Sequence, residues 1–510
     1  MAFTPRRHAP GTAPNKAMIS IVTMGATIMQ VLDTTIANVA LPHMQGSLGA
    51  TQDQIAWVLT SYLVAAAIAT PVTAWLALQL GRTRLFTLAL AGFTGASMLC
   101  GIGTTLPEMV LFRLMQGVFG AALVPLSQSI LLDTYPRHEV GKAMGMFSMG
   151  VMVGPILGPI VGGYLTDQLS WRWCFYINVP LGIVAILGAI AFIPETTKAT
   201  GRKLDWMGFG FLSLAVASLQ LMLDRGEQKG WFESTEILVE LALMAFGFYM
   251  FIAHSATTRR PFFDVRLFKD RTFLLSNVIM TLIMLVYYGS MALTPQMLQG
   301  ELNYPVLTAG LVMAPRGIGT IMAILVVGRV SKWIDTRVLI GFGLALSALS
   351  LYLMSGWSLA VGPKEIILLG LLQGASIGFI NVPLTTNAFT TLDADLRTEA
   401  SGFYNLMRNI GSAAGISITS AILVSSAQVN HGYLTEYFTP FKPIPSLPGM
   451  SKDAAMAFLN ADITRQAMMV SYINVFMMLA VLCVVIIPVV LFLHVPRFQP
   501  AGGAPHVIGE

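Results

Sequence analysis

Gly150-Val-Met-Val-Gly154-Pro155-Ile-Leu-Gly158-Pro159-Ile-Val-Gly162-Gly163 places four glycines four residues apart, with two prolines between them. Residues at that spacing share one face of a helix. The stretch therefore predicts a groove free of side chains, where a second backbone approaches closely. Each proline removes a backbone hydrogen bond and bends the helix, giving a smooth, kinked surface suited to an interface between moving bundles. No charged residue occurs between Lys142 and Asp167, so the helix is long and apolar enough to lie in a bilayer.

The rest of the chain has the same character. Hydrophobic residues make up 55% of the 510 positions and charged residues 11%, against roughly one quarter charged in a soluble domain. Apolar windows of about 20 residues, the length of a membrane span, recur from Met18 to Leu493. They predict an all-α integral membrane protein with about fourteen transmembrane helices. Arg6, Arg7 and Lys16 precede the first window, which has full span length and no small-residue cleavage site before Asp33, so it reads as a retained helix and not a secretory signal. With the N-terminus inside, the connections assigned to the cytoplasm hold 20 of the 30 lysines and arginines, which places both termini in the cytoplasm. That bias accounts for the net charge of +5 and leaves no reason to invoke nucleic acid.

A weak internal repeat appears at an offset of 257: Gln116-Gly117 recurs as Gln373-Gly374, and Gly154 with Gly158 recurs as Gly411 with Gly415. Two related halves with a site between them are a common transporter plan. The chain accordingly divides into a tail over 1–17, a six-helix bundle over 18–193, a linker over 194–271 with two inserted helices, a second six-helix bundle over 272–493 and a tail over 494–510. The linker ends in a stretch from Thr257 to Arg271 that interleaves five basic residues with Phe262, Phe263, Val265, Leu267 and Phe268. It reads as a positive-inside loop or as a segment lying on anionic lipid. The longest polar connection, 427–468, contains Pro440, Pro443, Pro445 and Pro448 and is placed outside.

Four charged residues stand inside apolar windows: Asp33, Arg113, Arg316 and Arg408. An unpaired charge in hydrocarbon costs at least about 2.5–3.5 kcal/mol, so such residues face a cavity or a partner and mark a pathway for ions or substrate. Asp33 and Arg113 are expected at similar depth. Desolvation makes the Asp33 carboxylate harder to form, while an approaching cation favours it, so the two are the candidates for proton coupling. Asn38, Gln128, Asn178, Arg316, Asn381, Asn405 and Arg408 are candidate cavity residues, although neutral polar groups in membrane helices more often bridge helices. All seven histidines fall in connections, helix ends or tails. The three cysteines are isolated and predict neither a disulfide framework nor a metal site. The chain has no GxxxxGK[ST] loop for ATP, no HExxH and no GxSxG. An ATP-driven pump and an intramembrane enzyme are thereby disfavoured; a channel or receptor remains an alternative.

Several motifs together carry a family resemblance. The glycine run over 150–163, including Pro155 and Gly163, looks like the antiporter signature in the fifth helix of major facilitator drug/proton antiporters. Arg113-Leu-Met-Gln116-Gly117-Val-Phe-Gly120 is similar to that superfamily's fourth-helix signature. Leu32-Asp33-Thr34-Thr35-Ile-Ala-Asn38-Val-Ala-Leu-Pro42 and Trp171-Arg-Trp-Cys-Phe-Tyr-Ile-Asn178-Val-Pro180-Leu-Gly182 resemble its fourteen-helix branch. Leu221-Met-Leu-Asp224-Arg225-Gly226, followed by Trp231, brings the chain nearest the EmrB type of multidrug exporter. The resemblance implies the major facilitator fold, no cofactor and a proton gradient as the driving force. It also implies export of hydrophobic or amphiphilic compounds across a bacterial inner membrane, with an EmrA-like periplasmic adaptor and an outer-membrane channel as partners. Export of one metabolite, fatty acid or siderophore, or uptake, is the alternative within transport. One departure stands out: the loop signature after the second helix carries Leu78 where the family has an acid, and Ala74 in place of its first glycine. A charge lock at that loop is either absent here or rebuilt.

Overall fold

The computed structural model describes residues 15–136, 139–195, 204–259, 261–331, 333–393, 396–436 and 451–493, all helix, turn or irregular chain with no strand among them. The first half comprises α1 (Lys16–Leu48), α2 (Trp57–Leu80), α3 (Arg82–Ile102), α4 (Leu106–Thr134), α5 (Val140–Gln168) and α6 (Trp173–Phe192). Two helices follow, α7 (Trp206–Arg225) and α8 (Thr235–Thr257). The second half comprises α9 (Arg271–Gly300), α10 (Thr308–Val330), α11 (Thr336–Met354), α12 (Pro363–Thr390), α13 (Arg397–Thr435) and α14 (Asp453–Val490). Thirteen of these, all except α5, are long and apolar enough to cross a membrane; α5 is 29 residues long and packs along α1. Large apolar side chains such as Leu88, Val184, Ile252, Leu325 and Val485 point outward and are at least half exposed, as a lipid-facing surface requires.

Local signals set the helix starts. Asn15 Oδ1 accepts from the Met18 N–H, and Asp270 Oδ1 accepts from the N–H groups of Thr272 and Phe273. Thr105 and Glu108 form a capping box ahead of α4. Each cap satisfies donors that a helix start leaves free.

The two halves repeat one packing plan: α1 lies along α5 as α9 lies along α13, α2 along α4 as α10 along α12, and α3 along α6 as α11 along α14. Glycines make the closest of these approaches possible. A Cβ built on Gly117 would lie 2.5 Å from the Tyr62 carbonyl oxygen, and one on Gly374 1.7 Å from that of Arg316. Helix α7 packs on α8 and also on α2 and α13, so the inserted pair sits at the side of the molecule against both halves. Thr60 donates to the Asp224 carboxylate, Arg225 pairs with Glu236, and Ser417 donates to the Leu223 carbonyl, tying α7 to α2, α8 and α13.

The structure revises several expectations. The glycine face of α5 turns toward α1, inside the first half, and not toward the opposite bundle. Cβ atoms built on Gly154 and Gly158 would lie 2.7 Å from Val31 Cγ1 and 2.0 Å from Thr35 Oγ1. A different part of α5, around Met149, reaches Ile324 and Val327 of the second half. The first helix runs from Lys16 to Leu48, 33 residues, longer than the roughly 20 needed for a span. Much of the connection expected over 427–468 is helical, because α13 continues to Thr435 and α14 starts near Lys452. Hydropathy measures fitness for hydrocarbon, and these polar turns are helices that overshoot it. The four prolines of that connection, Arg6, Arg7 and the tail 494–510 lie outside the described residues. The Thr257–Arg271 stretch buries two of its aromatic side chains in the protein: Phe262 and Phe263 pack with Leu212, Val216 and Leu406, at the junction of α7 and α13, while Phe268 stays exposed.

The motif glycines therefore differ in what they tolerate. Gly158→Ala is expected to lower stability by about 1–3 kcal/mol through overpacking against Thr35. Gly163→Ala, where nothing lies within 4 Å, should be neutral or stabilising. Thermal unfolding of the two purified variants checks this; equal effects would sink it.

Candidate functional site

Asp33, near the middle of α1, is 1% exposed and still fully bonded. Its Oδ2 accepts from Arg113 Nη1 at 2.7 Å, and its Oδ1 accepts from Gln116 Nε2 at 2.8 Å and Asn178 Nδ2 at 2.6 Å. Arg113 and Gln116 come from α4 and Asn178 from α6. Position 116 follows 113 by one helical turn, so both side chains project to one face. Arg113 is fully buried; its Nε donates to the Val58 carbonyl at 3.1 Å, and its guanidinium lies 4.3 Å from the Tyr62 ring centroid. Asn178 also donates to Ser97 Oγ at 2.9 Å. The pair is overall neutral, with charge-assisted bonds on both partners. Such a centre can exist in hydrocarbon, and its charge balance changes as soon as a proton reaches the carboxylate.

A second polar cluster joins the halves at the end of the bundle that carries Arg82, Glu139 and Arg397, the basic end assigned by charge bias to the cytoplasm. Gln128 on α4 accepts at Oε1 from Ser401 Oγ at 2.7 Å and from Asn405 Nδ2 at 2.8 Å, both on α13. Ser129 and Thr398 share a hydroxyl bond of 2.9 Å. Asp133 pairs with Arg82 from the loop after α2 and, at 3.3 Å, with Arg397 of the opposite half. Leu78 supplies no charge, and Asp133 instead holds the loop arginine and reaches across to α13. Glu399, in the first turn of α13, provides the acid that a helix N-terminus favours.

The remaining intramembrane cations lie in the second half. Arg316 is 5% exposed; its Nη2 donates to Ser290 Oγ at 3.0 Å, its guanidinium lies 4.8 Å from the Tyr287 ring centroid, and its Nε has no partner. Ser290 also accepts from Gln373 Nε2 at 2.8 Å. Arg408 is buried on α13 and acts electrostatically on Tyr288 and Tyr404. Among the described residues no carboxylate pairs with either guanidinium.

The expected site residues thus separate. Asp33, Arg113 and Asn178 form one centre. Gln128 and Asn405 bond to each other across the halves near the basic end. Asn38 is exposed, and Asn381 accepts from Thr385 beside Tyr404. The sequence reading missed Ser97, Ser401 and Thr398, hydroxyls whose role depends on a facing partner. It also passed over Ser290, which the 257-residue repeat places in register with Asp33.

The coupling of Asp33 to Arg113 is measurable. Arg113→Gln leaves a buried carboxylate without its cation and is expected to cost about 3–5 kcal/mol. The Asp33→Asn/Arg113→Gln double variant should recover much of that loss. Strictly additive losses in thermal unfolding would mean that the two residues act independently.

Known proteins agree with this geometry. The profile of the Major Facilitator Superfamily matches residues 23–416. The chain is 34% identical to the multidrug export protein EmrB of Escherichia coli (strain K12) over 513 aligned positions, covering 98% of this chain and 99% of EmrB. It is equally similar, at 34% over 94% of its length, to the fatty acid resistance protein FarB of Neisseria gonorrhoeae, of which it covers 96%. Among solved structures, the human organic anion transporter MFSD10 (TETRAN) superposes with a TM-score of 0.62 at 14% identity, over 92% of this chain and all of that one. With helix pairing, glycine contacts and relatives in accord, the chain belongs to the Major Facilitator Superfamily and stands with its EmrB-type multidrug export proteins.

Proposed function

We propose that this protein is a proton-coupled antiporter that exports hydrophobic or amphiphilic compounds across the bacterial inner membrane by alternating access. The observation that carries this reading is the buried Asp33 carboxylate held by Arg113, Gln116 and Asn178. Protonation of Asp33 removes the counter-charge of Arg113, so the state that tolerates a free guanidinium gains population. A ligand shifts conformations only by its differential affinity for them, so proton and substrate couple by favouring opposite states. The neutral bonds between α4 and α13 at the basic end then close the cytoplasmic side in one state and part in the other. The name of EmrB supports a broad substrate range, and that of FarB favours acidic amphiphiles as one class within it.

A tripartite assembly is part of the same proposal. Helices α13 and α14, each 39 residues, extend at 1.5 Å per residue well beyond a bilayer core of about 30 Å. Their far ends meet through His431 and Asn460 at 3.2 Å and expose Tyr433 and Phe458. We assign this projection as the docking surface for the periplasmic adaptor.

Two experiments test the reading. In proteoliposomes, Asp33→Asn should reduce drug accumulation driven by a pH gradient at least tenfold while gradient-free substrate exchange persists; equal gradient-driven flux would place coupling elsewhere. Tyr433→Glu/Phe458→Glu should abolish co-purification of the adaptor and leave flux in vesicles intact, and undiminished co-purification would remove the projection from the assembly.

A further inference from the structure

The two halves share a scaffold but differ in charge. Adding 257 to the first-half residues carries Asp33 to Ser290, Gln116 to Gln373 and Arg113 to Gly370. The correspondence is spatial as well. Gln373 bonds Ser290 at 2.8 Å as Gln116 bonds Asp33 at 2.8 Å. The arginine has moved from the helix equivalent to α4 onto the adjoining α10, where Arg316 bonds Ser290 at 3.0 Å. Gly370 faces it, and a Cβ built there would lie at ordinary contact distance, 3.9 Å, from Arg316 Cβ. The second half has therefore kept the amide and the cation and replaced the carboxylate by a hydroxyl.

A hydroxyl accepts hydrogen bonds but cannot neutralise charge. Arg316 remains a cation at 5% exposure with its Nε unsatisfied. A second buried cation, Arg408, acts on Tyr288, whose ring packs 5.5 Å from that of Tyr287 beneath Arg316. Glu399, two and a half turns before Arg408, turns instead to the backbone N–H of Asp264. Buried cations without counter-charge are costly and mark substrate pathways, and a planar guanidinium whose Nε is still unsatisfied suits a carboxylate acceptor. Pro315 stands inside α10 directly before Arg316, where its ring removes a backbone hydrogen-bond donor.

We propose that Arg316, Ser290 and Gln373, flanked by Arg408, form a carboxylate-binding site for the exported amphiphile, whose anionic group takes the position that Asp33 holds in the first half. This rests on the export reading above and adds a substrate class to it: one half carries its own carboxylate for protons, and the other receives the carboxylate of the cargo.

The test uses three probes that share one ring system, 2-naphthoate, 2-naphthamide and 2-naphthylmethylammonium, in equilibrium binding to the purified full-length protein without a gradient. The anion is expected to bind at least tenfold more tightly than the other two. Arg316→Gln should remove that preference. Ser290→Asp, which gives Arg316 an internal partner in the manner of Asp33, should also abolish naphthoate binding while raising thermal stability, and this separates an occupied site from a misfolded one. No preference for the anion in the intact protein, or unchanged naphthoate affinity in Ser290→Asp, overturns the proposal. Anion binding without gradient-driven flux would instead sink the antiport reading alone, because binding needs no gradient.

Discussion

Hydrocarbon offers no hydrogen bonds, so a carboxylate placed in the middle of a membrane helix must draw every partner from the protein around it. Asp33 does so from two other helices: α4 supplies Arg113 and Gln116, and α6 supplies Asn178. Its ionisation therefore fixes the relative position of α1, α4 and α6. The glycine face of α5 completes the arrangement from the other side of α1, because Gly154 and Gly158 allow its backbone to press against Val31 and Thr35, immediately beside Asp33. A helix bearing larger side chains there would stand further off and leave the carboxylate without its close packing. The charge centre and the glycine signature are thus two parts of one constraint.

The contacts between halves follow a different rule. Most of those at the basic end are neutral, between hydroxyls and side-chain amides, as in Ser129 with Thr398 and Gln128 with Ser401 and Asn405. Each neutral bond contributes about 0.5–1.5 kcal/mol net, so several together join the halves with modest strength. Within the first half the Asp33 pair is buried and charge-assisted, and it is expensive to break without a proton. A rigid interior and a reversible seam between halves are what rocking of one bundle against another requires. The ion pairs at the same end, Asp133 with Arg82 and Arg397, are partly buried, with the two arginine side chains only 15% and 12% exposed.

Internal duplication explains why the second half resembles the first without copying its chemistry. The helix pairs and close glycine contacts recur because backbone packing tolerates little change. Side chains facing the interior are freer, and replacing Asp33 by Ser290 at the repeated position converts a self-neutralised centre into one with uncompensated positive charge. Divergence at a single register position changes electrostatics while leaving the fold intact.

By itself the amino-acid sequence determined the membrane architecture, the two-half plan and the identity of the key ions, because these depend on local quantities: hydropathy over about 20 residues, glycine spacing along one helix, and a charge standing alone in an apolar window. Asp33 and Arg113 were legible for that reason, as was the loss of the loop acid at Leu78. Tertiary structure alone decided which groups meet. The glycine spacing of α5 shows a bare face but not that α1 occupies it, and the stretches around Gln128 and Asn405 do not show that the two bond at 2.8 Å across the halves. Ser290 drew no notice as an ordinary hydroxyl, and it gained meaning only when its contacts with Arg316 and Gln373 mirrored those of Asp33. Such pairings join residues tens to hundreds of positions apart, and their energy depends on distance and burial in three dimensions, which local sequence does not encode.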